Sequence, residues 1–141
     1  MIDFKTQNSP VAQAIRALIE EVHQHRLVDL AVLSTIDGLP LETTAVKSSQ
    51  FAAAVGFLMA NAQQTCANLS LTETCYEVVV RQENGRLLVC RSFDVENGRL
   101  ILAVLLKQDT AHNQLLTQTV EQVQAIISHY QQDMYTSKEV M

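Results

Sequence analysis

The pentapeptide ENGRL occurs twice, at residues 83–87 and 96–100, each time between two strand-like runs. Asn-Gly is a strong hairpin signal, because both residues accept the positive φ of a type I′ turn. The runs around these turns, CYEVVVRQ, RLLVCRSF and RLILAVLL, are rich in β-branched and aliphatic residues. Three antiparallel strands in a meander follow, so the chain must bury a sheet. The repeated pentapeptide is one turn chemistry used twice, not a domain duplication. RLILAVLL is almost wholly apolar, which places it in the sheet centre with both faces covered.

Two further strands are expected upstream. LVDLAVLST, residues 27–35, is again nearly all apolar, so it too is expected to be central, with both faces covered. DGLP then closes a turn, because Gly38 supplies φ freedom and Pro40 cannot donate to a ladder. LETTA, residues 41–45, alternates apolar and polar positions and suits a half-exposed edge strand.

Three helices complete the pattern. Ser9 followed by Pro10 starts the first, with a capping hydroxyl and a proline where its missing N–H costs least. Val11, Ile15, Leu18, Ile19 and Val22 recur on one side, and the helix ends near His25. The second runs from about Gln50 to Leu69. The last begins after KQDT, capped by Asp109 or Thr110, with a stripe of Leu115, Leu116, Val120, Val123, Ile126, Ile127 and Tyr130. The element order is therefore α-β-β-α-β-β-β-α. The fold class is α/β (α+β), one antiparallel sheet with helices on both faces. The 141 residues form one domain over 9–131, and 132–141 reads as a flexible C-terminal tail.

The second helix is unusual. No Asp, Glu, Lys or Arg occurs between Lys47 and Glu73. On a helical wheel Phe51, Val55, Leu58, Ala62, Cys66 and Leu69 form a broad apolar face suited to the sheet. Beside it runs a stripe of small residues, Ala52, Gly56, Ala60 and Ala67. Gln50, Asn61, Gln64 and Asn68 fill the remaining arc, with Phe57 among them. Loss of charge with retention of neutral polar groups is the composition of a protein–protein interface core. A small-residue stripe lets a second helix approach, and Gly56 costs roughly 1 kcal/mol of helix propensity, which implies a packing reason. The expectation is a homodimer joined through Ala52, Gly56, Ala60 and Ala67. The strand holding Glu77, Val79 and Arg81 is an edge that needs cover, and self-pairing could set Glu77 of one copy near Arg81 of the other. Two other uses stay open at this point: close packing of Gly56 on its own sheet, and charge decoration of an unpaired edge.

Taken together, AVLSTIDGLPLETT, the alanine-rich helix, ENGRLLV and LILAVLLKQDTAHNQLL resemble the roadblock/LC7 family, and within it the bacterial MglB-like members. The likeness covers about residues 11–130. It implies a profilin-like sheet of five strands in the order 2-1-5-4-3, and dimerisation through the second helix and third strand. Such proteins are non-enzymatic scaffolds or regulators of small Ras-like GTPases, or dynein light chains. MglB-type members are GTPase-activating (GAP-type) partners without an arginine finger. By that resemblance Phe57, Gln50, Asn61, Gln64 and Asn68 are the partner-docking residues. Relatives often open the last helix with Gly-Leu-Leu-Arg, where this chain has Gln114-Leu115-Leu116-Thr117.

The chemistry of other classes is missing from the sequence. There is no GxxxxGK[ST], GxGxxG or GxSxG. His23 and His25 point about 200° apart on a helix and cannot chelate together. His112 and His129 lack a cluster at ligand spacing. Asp37 precedes Gly38 as a turn requires, which outweighs a catalytic reading. Cys66, Cys75 and Cys90 are an odd number at long spacing, read as reduced thiols. A net charge of −5 without a basic run argues against nucleic acid. The expected location is cytoplasmic, with no catalytic residue, cofactor or metal. The alternatives are a ligand-sensing domain, and a purely structural assembly subunit that pairs with itself or a related chain.

Overall fold

The computed structural model describes residues 9–41, 46–96, 98–109 and 111–140. Its elements are α1 (Pro10–His23), β1 (Val28–Thr35), α2 (Val46–Asn68), β2 (Glu77–Arg81), β3 (Leu87–Val95), β4 (Gly98–Leu106) and α3 (Asn113–Val140). The strands form one antiparallel sheet in the order β1-β4-β3-β2. Among the described residues there are thus four strands and the order α-β-α-β-β-β-α, not five strands and α-β-β-α-β-β-β-α.

The difference lies at the outer edge of β1. The chain turns through residues 36–38 and comes back along β1, with Thr35 N donating to Leu39 O and Leu41 N to Leu33 O, each at 2.9 Å. Ser34 and Pro40 make an isolated antiparallel bridge. Of the expected strand 41–45 only Leu41 is described, and the rest lies outside the described residues.

Both sheet faces are covered. On one, Val11, Ile15, Ile19 and Val22 of α1 and Leu116, Val123 and Ile127 of α3 pack on Leu33, Val89, Leu102 and Val104. On the other, Ala52, Val55 and Met59 of α2 pack on Val32, Cys90, Ile101 and Ala103. β4 supplies alternate residues to both layers and sits inside, as its apolar run requires. α1 starts as expected, with Ser9 Oγ accepting from Ala12 N at 3.2 Å.

The β2–β3 turn is longer than two residues. Between β2 and β3, Gln82 N donates to Arg86 O and Gly85 N to Gln82 O, a three-residue loop with Gly85 at φ +92°. A type I turn followed by a left-handed glycine gives that geometry, and it replaces the expected type I′ turn. The second ENGRL loop joins Val95 to its partner Gly98, and its Asn97 lies outside the described residues. α3 begins at Asn113, three residues past Thr110, which also lies outside them. It continues through the residues expected as a tail, where the sequence holds no Gly or Pro to stop a helix.

Candidate interaction surface

α2 does not meet the sheet through the face that its hydrophobicity suggests. Its buried residues are Ala52, Val55, Gly56 and Met59. That stripe is rotated roughly 70° from the Phe51–Val55–Leu58–Ala62 face. Phe51 and Leu58 are only partly buried, and Leu69 lies beyond the helix at 67% exposure.

A contact between two glycines causes the rotation. The turn glycine, Gly38, has φ +85° and lies against α2. A Cβ on Gly56 would stand 2.7 Å from Gly38 Cα and 2.9 Å from Gly38 N. Gly38 is equally close to α2, since its own Cβ would meet Ala52 O and Ala53 Cα at 3.2 Å. Ala52 is fully buried. Both Ala52 and Gly56 are therefore small because of contacts inside this chain, and neither offers a surface to a second copy. That corrects the small-residue stripe as an interface: only Ala60 and Ala67 of it face solvent.

The outward arc of α2 carries Gln50, Ala53, Ala54, Phe57, Ala60, Asn61, Gln64, Ala67 and Asn68, all exposed and none charged. Phe57 is near its centre and 74% exposed. The amides turn back on the helix: Asn61 Nδ2 donates to Phe57 O at 2.9 Å and Gln64 Nε2 to Asn68 Oδ1 at 3.0 Å. Ala53, Ala60 and Ala67 recur at sevens, a ridge without bulk along the exposed face.

β2 closes the other end of the surface. Among the described residues it is a terminal strand of the sheet, with one side bonded to β3. Glu77 accepts from Arg91 Nε at 2.7 Å, and Arg91 also donates to Thr117 Oγ1 at 3.0 Å and Asn113 Oδ1 at 2.7 Å. This nearly buried guanidinium pins the edge strand to α3. Arg81 pairs with Asp109 at 3.0 Å. Val79 packs on the α1/α3 side. Glu77 and Arg81 are thus already paired within the chain, which weakens the case for a Glu77–Arg81 contact between copies.

Two features escaped the sequence reading. Ile36 and Leu39, at 53% and 64% exposure, flank the turn that touches Gly56. Their apolar character within TIDGLP was the available signal. Leu30, Leu105, Leu88 and Val80 are neighbours in register across all four strands, on the face that α2 covers. The first three are half-buried and Val80 is 39% exposed, so α2 leaves this row partly open. Finding it required the register.

Elsewhere the thiol of buried Cys90 is pushed up to about 12, first by burial and then by the Glu77 carboxylate. No group of three or more His, Cys, Asp or Glu side chains able to hold a metal occurs among the described residues. No helix among them is long and apolar enough to cross a membrane.

Residues 14–106 match the model of the Roadblock/LC7 domain. The chain belongs to the roadblock/LC7 family. Comparison with curated proteins gives no match. Among solved structures, a Roadblock/LC7 domain from Streptomyces avermitilis is similar, with TM-score 0.66 and 19% identity over 82% of this chain and 96% of that one. The gliding protein MglB from Thermus thermophilus gives 0.65 and 17%, over 86% and 93%. Myxococcus xanthus MglB gives 0.68 and 11%, over 88% and 94%. At these identities the likeness is one of fold.

Proposed function

We propose that this roadblock/LC7 protein is a dimeric, non-enzymatic regulator or scaffold that docks a small Ras-like GTPase on the outward faces of paired α2 helices. The observation that carries it is the exposed arc of α2 from Gln50 to Asn68, which holds no charged residue and is centred on Phe57. A surface of that composition suits another protein better than water. The ridge of Ala53, Ala60 and Ala67 gives a second α2 room to lie alongside. The free edge of β2 can pair with the same edge of the second copy, which protects both from open-ended association. A neighbouring α2 would also cover the row from Leu30 to Val80. Of the residues expected at the interface, Ala60, Ala67 and the β2 backbone at Glu77, Val79 and Arg81 fit this arrangement. Phe57, with Gln50, Asn61, Gln64 and Asn68, is the docking set.

The regulatory step is preferential binding to one nucleotide state of the GTPase, shifting its population. Acceleration of hydrolysis would proceed by reshaping the GTPase's own loops.

Two measurements test this. Light scattering on the purified chain should give twice the 15.7 kDa chain mass. Capture of a GTPase from the same cells should depend on whether GTP or GDP is supplied. A particle of single-chain mass at high concentration, with no nucleotide-dependent capture, refutes the proposal. Unchanged turnover with dimer in excess removes activation and leaves scaffolding.

A further inference from the structure

Where α2 ends, the chain doubles back and forms an open groove of about 630 Å³, lined among others by Cys66, Ser70, Leu71, Cys75, Tyr76 and Glu77. Two of the three cysteines thus share one surface depression. Its walls are tied together by hydrogen bonds. Leu71 N donates to Cys66 O at 2.9 Å and Ser70 N to Ala67 O at 3.0 Å, a double closure of the helix end with Ser70 left-handed at φ 61°. Opposite, Cys75 N donates to Gln63 Oε1 at 2.8 Å. Gln63 lies one turn before Cys66 on the same side of α2. The helix face that carries the Cys66 thiol therefore also holds the backbone of Cys75.

We propose that Cys66 and Cys75 are an oxidation-sensitive pair that closes to an intrachain disulfide on exposure to a peroxide. One thiolate attacks the peroxide O–O bond, giving a sulfenic acid and releasing water or an alcohol. The second thiol attacks that sulfur, forming the S–S bond and releasing water. Two electrons pass from the thiols to the peroxide. Both side chains are half-buried at the groove, open to a small oxidant. Cys75 Sγ gives up a long contact, 3.7 Å to Glu77 O, when it reacts. The linking residues 69–76 hold no helix or strand, so the backbone can adjust to the Cα separation of about 4.4–6.8 Å that a disulfide needs. Cys90 is fully buried under α2 and stays out of the exchange.

The bond would staple the end of α2 to the lead-in of β2, the two elements of the proposed dimer surface. Its formation does not rest on that reading.

The test is peptide mass mapping of the native protein after brief treatment with hydrogen peroxide and alkylation. The expected result is a cross-linked 66–75 pair, a chain mass lower by about 2 Da, and loss of both natively reactive thiols. Cys90 should be alkylated only after unfolding. Cys66→Ser and Cys75→Ser should each abolish the mass loss. Separate sulfinic acids, two untouched thiols, or a disulfide between copies on a non-reducing gel would each overturn the proposal. Light scattering before and after oxidation reports the oligomer independently.

Discussion

Replacing Gly56 with alanine sets two opposed effects against each other, and the structure decides between them. At an exposed helix position the change would stabilise by about 1 kcal/mol through helix propensity. Here the new Cβ would stand 2.7 Å from Gly38 Cα and 2.9 Å from Gly38 N. Carbon pairs prefer about 3.5–4.0 Å, so the overlap is near 1 Å. Both opposing atoms are backbone, in a turn fixed by Gly38 N donating to Thr35 O at 3.0 Å, and no flexible side chain can yield. Overpacking of this kind costs about 1–3 kcal/mol, which exceeds the propensity gain. Gly56→Ala should therefore destabilise by about 1 kcal/mol, read as a lower urea midpoint at unchanged m and fixed protein concentration. Ala54→Gly, on the exposed arc, is the control and should lose about 1 kcal/mol from propensity alone. Because Gly56 faces its own chain, the particle mass should not change. A Gly56→Ala protein stabilised by about 1 kcal/mol would mean that the helix does not rest on this turn.

Phe57→Ala should alter stability by less than about 0.5 kcal/mol, since the ring is mostly in water, yet weaken partner capture by at least about tenfold if it anchors a docking surface. Val80→Lys, on the free edge of β2, should lower the particle mass toward that of one chain without loss of helical circular dichroism. Arg91→Met leaves Glu77, Asn113 and Thr117 without their shared donor, and should cost about 2 kcal/mol in urea denaturation; adding Glu77→Gln should recover part of it. Cys90 keeps its proton when folded up to about 12, against 9.0 in the open chain. The folded state therefore binds more protons across that window, and stability should fall as pH rises above about 9, by up to about 1.4 kcal/mol per unit. Cys90→Ala should remove that component of the slope, leaving stability near neutral pH with no Cys90-linked pH dependence.

Most of the sheet was legible because its evidence is local. Apolar runs of strand length and turns rich in Asn and Gly mark β2, β3 and β4 within a few residues. Central placement of β4 followed from its lack of polar alternation. The same pattern in β1 pointed to the centre too, whereas β1 is a terminal strand of the described sheet, flanked on its outer side by the isolated Ser34–Pro40 bridge. The turn types were not legible: Asn84-Gly85 suits a type I′ turn, but Gly85 closes a three-residue loop that a short motif cannot distinguish. The edge residues Glu77 and Arg81 invited a pairing between copies because their intrachain partners, Arg91 and Asp109, are 14 and 28 residues away in sequence.

The rotation of α2 shows where such reading stops. In α1 the apolar residues occupy one side, so its sequence fixes its orientation. α2 has apolar residues all round, and hydrophobicity then barely distinguishes one rotation from another. What selects the orientation is steric. Gly38 must be left-handed to reverse the chain after β1, the reversal sets its backbone against the helix, and only a helical glycine can face it. Once Gly56 and Ala52 are turned inward, Phe57, one residue past Gly56, is carried about 100° round to the outside. The requirement that places two small residues against a turn thus also sets a large apolar ring in water. Removing charge from this helix left the orientation to shape, and shape exposed the surface that the proposed partners would cover.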